Sequence, residues 1–72
     1  MKMKYLITEK KYNLVIFIEA HNLNLICRIA DLIEDTFPDS VIEVTHNRKA
    51  KQGSIIVKKG DADFIEKIKE LL

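Results

Sequence analysis

Glu19 and His21 are two nearly adjacent side chains whose types suit proton transfer. A carboxylate and an imidazole can act as a general acid and a general base near neutral pH. They follow an apolar run, at the kind of strand end where α/β proteins tend to bind ligands. No nucleophile, metal motif or glycine-rich phosphate loop accompanies them, so strand-end and helix-capping roles are favoured over catalysis. The sequence therefore predicts a protein that is not an enzyme and that has no catalytic residues and no cofactor.

Metal binding and thiol chemistry are not favoured either. The single cysteine, Cys27, and the two histidines, His21 and His46, lack the spacing of zinc ligands. Cys27 falls one position from an apolar helical stripe, and we expect it to be buried as a small hydrophobic side chain.

A basic segment at 46–53, with the sequence HNRKAKQG, is the most suggestive polar feature. It is predicted to be a hairpin loop that can reach phosphates, and the positive charge continues along the next strand. The candidate residues for binding a nucleic acid or another partner are Arg48, Lys49, Lys51, Lys58 and Lys59. No aromatic residues are interleaved for base stacking, and a solvated turn that blunts a sheet edge is the competing interpretation.

Acidic and basic residues are separated along the chain although the net charge is only +1. Residues 31–43 contain no lysine or arginine, and residues 46–60 contain no aspartate or glutamate. The acidic block includes Asp31 and Asp35, predicted on the outer face of a helix, where they are either solvated or meet the basic loop of a second copy.

Length and composition limit what the chain can be. Its 72 residues predict one domain spanning 1–72, and its 47% apolar content is typical of a globular protein. The absence of an apolar run of about 18 residues argues against a membrane span, and no signal peptide is recognised. With one cysteine and no disulfide framework, we expect an intracellular, cytoplasmic protein.

Hydrophobic periodicity predicts the elements that position these residues. Alternation and β-branched runs indicate four strands, and apolar steps of three and four residues indicate two helices. The predicted strands are Met3–Thr8, Leu14–Ile18, Val41–His46 and Ser54–Lys59. The first helix follows an Asn22 or Asn24 cap and ends before Pro38, and the second begins at an Asp61 cap.

This ββαββα order predicts an α+β, two-layer sandwich in which two helices cover one face of a mixed four-stranded sheet. A right-handed βαβ unit should make the second and third strands parallel. The second strand is apolar on both faces, so either Val15 and Phe17 or their neighbours must face away from the helices. Such an open apolar face either marks a partner surface or is covered by the N-terminal segment and long lysine stems. If it is a partner surface, the candidate interface residues are Val15, Phe17, Asp31 and Asp35.

The predicted function is that of a small non-enzymatic binding or regulatory module acting through protein contact. The partner is expected to be another protein or a second copy in a homodimer. Short single-domain chains without site chemistry are often accessory or regulatory proteins, or effectors encoded by viruses or mobile elements. The alternatives are nucleic-acid binding through the basic hairpin 46–53 and, last, a small enzyme using Glu19 and His21.

Overall fold

The computed structural model describes residues 4–72, which form four strands and two helices in the predicted order. The elements are β1 (Tyr5–Glu9), β2 (Asn13–Glu19), α1 (Leu23–Thr36), β3 (Val41–Asn47), β4 (Gln52–Lys58) and α2 (Phe64–Leu71). Met3, the predicted start of the first strand, lies outside the described residues.

The four strands form one sheet in the order β1-β2-β4-β3, and each neighbouring pair is antiparallel. The prediction of a mixed sheet is therefore wrong, although β2 and β3 do run in the same direction. A tight hairpin returns the chain from β3 into β4, and β4 enters between β3 and β2. The apolar run Ile55–Ile56–Val57 therefore has a strand on each side. Strands β2 and β3, joined through α1 and separated by β4, form a split β-α-β unit. β1 lies at a sheet edge and β2 in the interior, in keeping with the apolar residues on both faces of β2.

A single hydrophobic core lies between the sheet and the two helices, which share one face of the sheet as predicted. Alternate residues of the two inner strands and the apolar stripe of each helix supply it. Its members include Leu14, Ile16, Ile18, Ile26, Ile33, Ile55, Val57, Phe64 and Ile68. The opposite face of the sheet is left without a covering layer of described residues, and it is called the open face below.

Helix α1 begins and ends where its capping chemistry predicts. Asn22 is the N-cap, and its side-chain oxygen accepts a hydrogen bond from the Leu25 amide at 3.1 Å. The helix ends at Thr36, two residues before Pro38. Proline restricts the residue before it, which explains the stop.

The turn from α1 into β3 is held by the Glu34 carboxylate. It accepts hydrogen bonds from the amides of Asp39 at 2.6 Å and Val41 at 3.1 Å. Asp39 has a φ of 65°, a left-handed conformation that aspartate tolerates better than most residues. One member of the acidic block therefore has a structural role.

Three local expectations are corrected by the structure. Helix α2 begins at Phe64 with Asp63 in the N-cap position, so Asp61, the predicted cap, lies in the preceding turn. Asp63 and Lys67 form an i,i+4 ion pair at 3.2 Å. Cys27 is exposed, because α1 presents Ile26 to the sheet and the next side chain points about 100° away. Ile42 is exposed as well, because the β3–β4 register shifts between Val41 and Glu43.

Candidate functional site

The open face carries a contiguous apolar patch across all four strands. Its apolar members are Leu6, Val15, Phe17, Ile42 and Ile56. Leu6 is paired with Phe17 across β1 and β2, and Val15 is paired with Ile56 across β2 and β4. Leu6 is 64% exposed and Ile42 is 56% exposed, while the other three are half-buried. The prediction left open which side of β2 faces outward, and the structure assigns Val15 and Phe17 to that side.

The exposure of Ile42 comes from a β-bulge. The register passes from Val41 opposite Val57 to Glu43 opposite Ile56, so one extra residue of β3 lies between these pairs. Such an insertion re-aims side chains, and here it replaces the alternation predicted for this strand. Val41 and Val44 pack against the core, and Ile42 joins the patch.

At the level of Phe17, the open face has a bulky half and a shallow half. Strands β1 and β2 present Leu6 and Phe17, whereas β3 and β4 at the same level present Thr45 and Ser54. The hydroxyl groups of Thr45 and Ser54 are hydrogen-bonded to each other. Beside Phe17 they line a shallow depression of about 230 Å³, which also includes Gln52 and Gly53.

Charged side chains surround this patch. Glu43 lies on β3 opposite Ile56, and Lys58 ends β4 opposite Asn13. Lys10 faces Asn13 across the β1–β2 turn, where its amide donates to the Asn13 carbonyl at 2.8 Å. Alternation from Leu6 and Thr8 places Lys10 on the open face.

The four predicted interface residues do not form one surface. Val15 and Phe17 lie on the open face, whereas Asp31 and Asp35 are exposed on α1, which packs on the other side of the sheet. A single flat contact therefore cannot include both pairs.

The basic candidates are also divided. Arg48, Lys49 and Lys51 are exposed at the tip of the β3–β4 hairpin, whereas Lys58 and Lys59 lie at the opposite end of β4. Six residues of strand separate the two groups, which is about 20 Å. Lys59 is bound to Glu9 by an ion pair of 2.9 Å. The continuous positive strip expected from the sequence is thus two separate groups.

Glu19 and His21 are both exposed. Buried Ala20 lies between them and is tied to the basic hairpin, since its amide donates to the Lys51 carbonyl at 2.9 Å. His46 lies on the helix-facing side of β3, where its Nε2 is 3.0 Å from the Ala20 carbonyl oxygen. The two histidines therefore have different surroundings, and that of His46 is structural.

A cleft of about 400 Å³ between the end of α1 and the start of α2 was not predicted from the sequence. The rings of Phe37 and Phe64 pack there at 4.6 Å between centroids. Three lysines and three aspartates line it, so no sign of charge is favoured: Lys58, Lys59, Lys67, Asp39, Asp61 and Asp63. Ser40 also lines the cleft, and its hydroxyl oxygen is buried without a hydrogen-bond partner among the described residues. It joins helix ends 28 residues apart in sequence, so no local pattern could have revealed it.

Among residues 4–72, no group of histidine, cysteine, aspartate and glutamate side chains is arranged to hold a metal ion. No helix in the same range has the length and apolar content needed to cross a membrane. Comparison with protein-family models, with curated proteins and with solved structures finds no match to this chain.

Proposed function

We propose that this protein is a non-enzymatic binding module that contacts another protein molecule through the open face of its sheet. The observation that carries this proposal is the apolar patch of Leu6, Val15, Phe17, Ile42 and Ile56 on a face without a covering layer. The largest contiguous apolar patch of a monomer is often functional, and an apolar patch with a polar rim is typical of interaction surfaces.

The two most exposed members of the patch, Leu6 and Ile42, have the most to gain from burial by a partner. Fully burying a leucine or isoleucine side chain stabilises a complex by about 1.5–3 kcal/mol. Leu6 and Ile42 retain more than half of their exposure in the free chain, so most of that gain is still available. Both lie on edge strands, so a partner must cover the sheet from β1 to β3 to bury both.

Site-specific photo-cross-linking in cells expressing the protein tests this proposal. A photoreactive amino acid replaces Leu6 on the open face or, as a matched control, Leu23, which is 49% exposed at the start of α1. We expect adducts from position 6 that disappear when Ile42→Lys is added, and no such adducts from position 23. An adduct pattern unaffected by Ile42→Lys, or the absence of adducts from position 6, would reject the open face as a binding surface.

Nucleic-acid binding by the basic hairpin is the second candidate. It is favoured by the observation that no ion pair among the described residues involves Arg48, Lys49 or Lys51. Phosphate binding through three such groups should weaken steeply as salt rises from about 50 to 200 mM. Fluorescence anisotropy with DNA and RNA, using an Arg48→Glu, Lys49→Glu, Lys51→Glu variant as the control, decides it. Absence of binding at low salt would eliminate this candidate.

A further inference from the structure

We infer that the partner of the open face is a second copy of this chain, bound face to face about a two-fold axis parallel to the strands. This inference rests on the proposed function and adds the identity of the partner. It follows from the way in which the two halves of the face complement each other in shape and in charge.

Side chains of neighbouring strands on the open face lie at common levels along the strand direction. Leu6, Phe17, Ser54 and Thr45 lie side by side from β1 to β3. Consider a two-fold axis that runs parallel to the strands between β2 and β4 and relates two copies face to face. It leaves each side chain of the second copy at its own level and places β1 and β2 of that copy over β3 and β4 of the first. The bulky half of one copy then covers the shallow half of the other, with Phe17 above Ser54 and Leu6 above Thr45.

The depression beside Phe17 lies at the place where this arrangement brings Leu6 of the second copy. Its lining of Thr45, Ser54 and Gln52 leaves about 230 Å³ open in the free chain. At the next level, Val15 meets Ile56 of the second copy, so the apolar centre is continuous. Two sheets related in this way pack as an aligned sandwich about 10 Å apart.

The charges on the face are compatible with the same axis. Strand β1 of the second copy passes over β3, so its Thr8 lies opposite Glu43. Its Lys10 lies one side-chain level further along, about 7 Å away and level with Lys58 of the first copy, and pairs with Glu43 when its side chain extends toward that carboxylate. The symmetry repeats this contact, so the dimer has two such pairs. An in-plane axis perpendicular to the strands would instead place β1 on β1, with Lys4 against Lys10 and Phe17 against Val15. That alternative opposes like charges and leaves the shallow halves facing each other.

The size of the face places the dimer among small, weak interfaces. Four strands about 4.8 Å apart, each with about six residues at 3.3 Å, give roughly 400 Å² per copy. This is about half of the ~800 Å² per partner that is typical of a stable complex. The dimer should therefore be weak, with a dissociation constant between about 1 µM and 1 mM.

Sedimentation velocity of the purified chain from about 10 µM to 1 mM tests the inference over this affinity range. The unmodified protein should pass from monomer to dimer with rising concentration. Leu6→Lys should weaken the dimer at least tenfold by placing an ammonium group in the depression, whereas the control Leu23→Lys should not change it. A purified chain that stays monomeric up to 1 mM would overturn the inference.

A charge exchange shows whether the partner is a second copy in this orientation, and it avoids the patch itself. Glu43→Lys and Lys10→Glu should each weaken self-association, by up to about tenfold because both symmetric pairs become repulsive. An equimolar mixture of the two variants should regain dimer, since the mixed pair restores both contacts. If the mixture associates no better than either variant alone, the proposed orientation is wrong.

The two proposals fail in different ways. Adducts to a different protein from position 6, together with a monomeric purified chain, would reject the second copy as partner and leave the binding function in place. The absence of both adducts and dimer would reject both.

Discussion

Gly53 should not tolerate a side chain, and the substitution Gly53→Ala measures how rigidly α1 is packed on the sheet. Gly53 is buried in β4 on the helix-facing side. An added Cβ would lie well inside van der Waals contact with the Cγ1 and Cδ1 atoms of Ile26, and 3.0 Å from the Thr45 carbonyl oxygen. Ile26 is fully buried, so its side chain has no free space into which it can rotate.

Two opposing effects determine the change in the free energy of unfolding. Gly53 does not have a positive φ, so alanine gains about 0.4–1 kcal/mol by restricting the unfolded chain. Overpacking a well-filled core costs about 1–3 kcal/mol. We expect a net destabilisation of about 1–2 kcal/mol, which lowers the melting temperature by roughly 4–16 °C in a chain of this size.

Thermal and urea unfolding followed by far-UV circular dichroism measures this change, since the chain has no tryptophan. Gln52→Ala, at an exposed position of the same strand, serves as the control and should stay within about 0.5 kcal/mol. Adding Ile26→Val removes the Cδ1 atom and should recover part of the loss, so the two substitutions together cost less than their sum. A Gly53→Ala protein as stable as the original, or strict additivity with Ile26→Val, would refute the close contact between Gly53 and Ile26.

Three further substitutions test single features of the fold by the same unfolding measurement. Asn22→Ala should cost about 1 kcal/mol by removing the α1 cap, whereas Asn24→Ala should cost much less; equal effects would contradict the assigned cap. Glu34→Ala should cost about 1–3 kcal/mol because two amides lose a charged acceptor, and Asp35→Ala, which removes an exposed carboxylate next to it, should be nearly neutral. Lys51→Gly should not destabilise and should gain up to about 1 kcal/mol, because Lys51 has a φ of 52° that glycine adopts without strain; a clear loss would show that the lysine side chain supports the hairpin.

The sequence predicted the elements well because each rests on local chemistry. The Asn22 cap, the stop at Pro38 and the apolar stripe of α1 all act within a few residues. The position of β4 in the sheet does not follow from the local sequence. A short hairpin can place β4 on either side of β3, and only the burial that β4 gains between β2 and β3 selects the observed side. The same applies to the bulge at Ile42, which strict alternation cannot anticipate.

The candidate sites were predictable as residue types but not as surfaces. Charge blocks along the chain correctly indicated an exposed basic hairpin, but strand direction separates Arg48 and Lys49 from Lys58 by the length of β4. In the same way, Phe17 and Asp31 each lie at an exposed or half-exposed position, on opposite sides of the sheet. The shallow depression on the open face could not be predicted from the sequence. It exists because Ser54 lies beside Phe17, and only the β2–β4 register sets that pairing.

The two edges of the sheet explain why association through its face would end at two copies. An unprotected edge strand invites further strands and open-ended growth. β3 carries the bulge and Glu43 on one edge, while β1 has only five residues and is followed by Lys10 and Lys11 at the other. Short strands, bulges and charges of this kind hinder edge pairing. Face-to-face contact about a two-fold axis uses the same surface on both copies, so it closes at a dimer and leaves both edges in water.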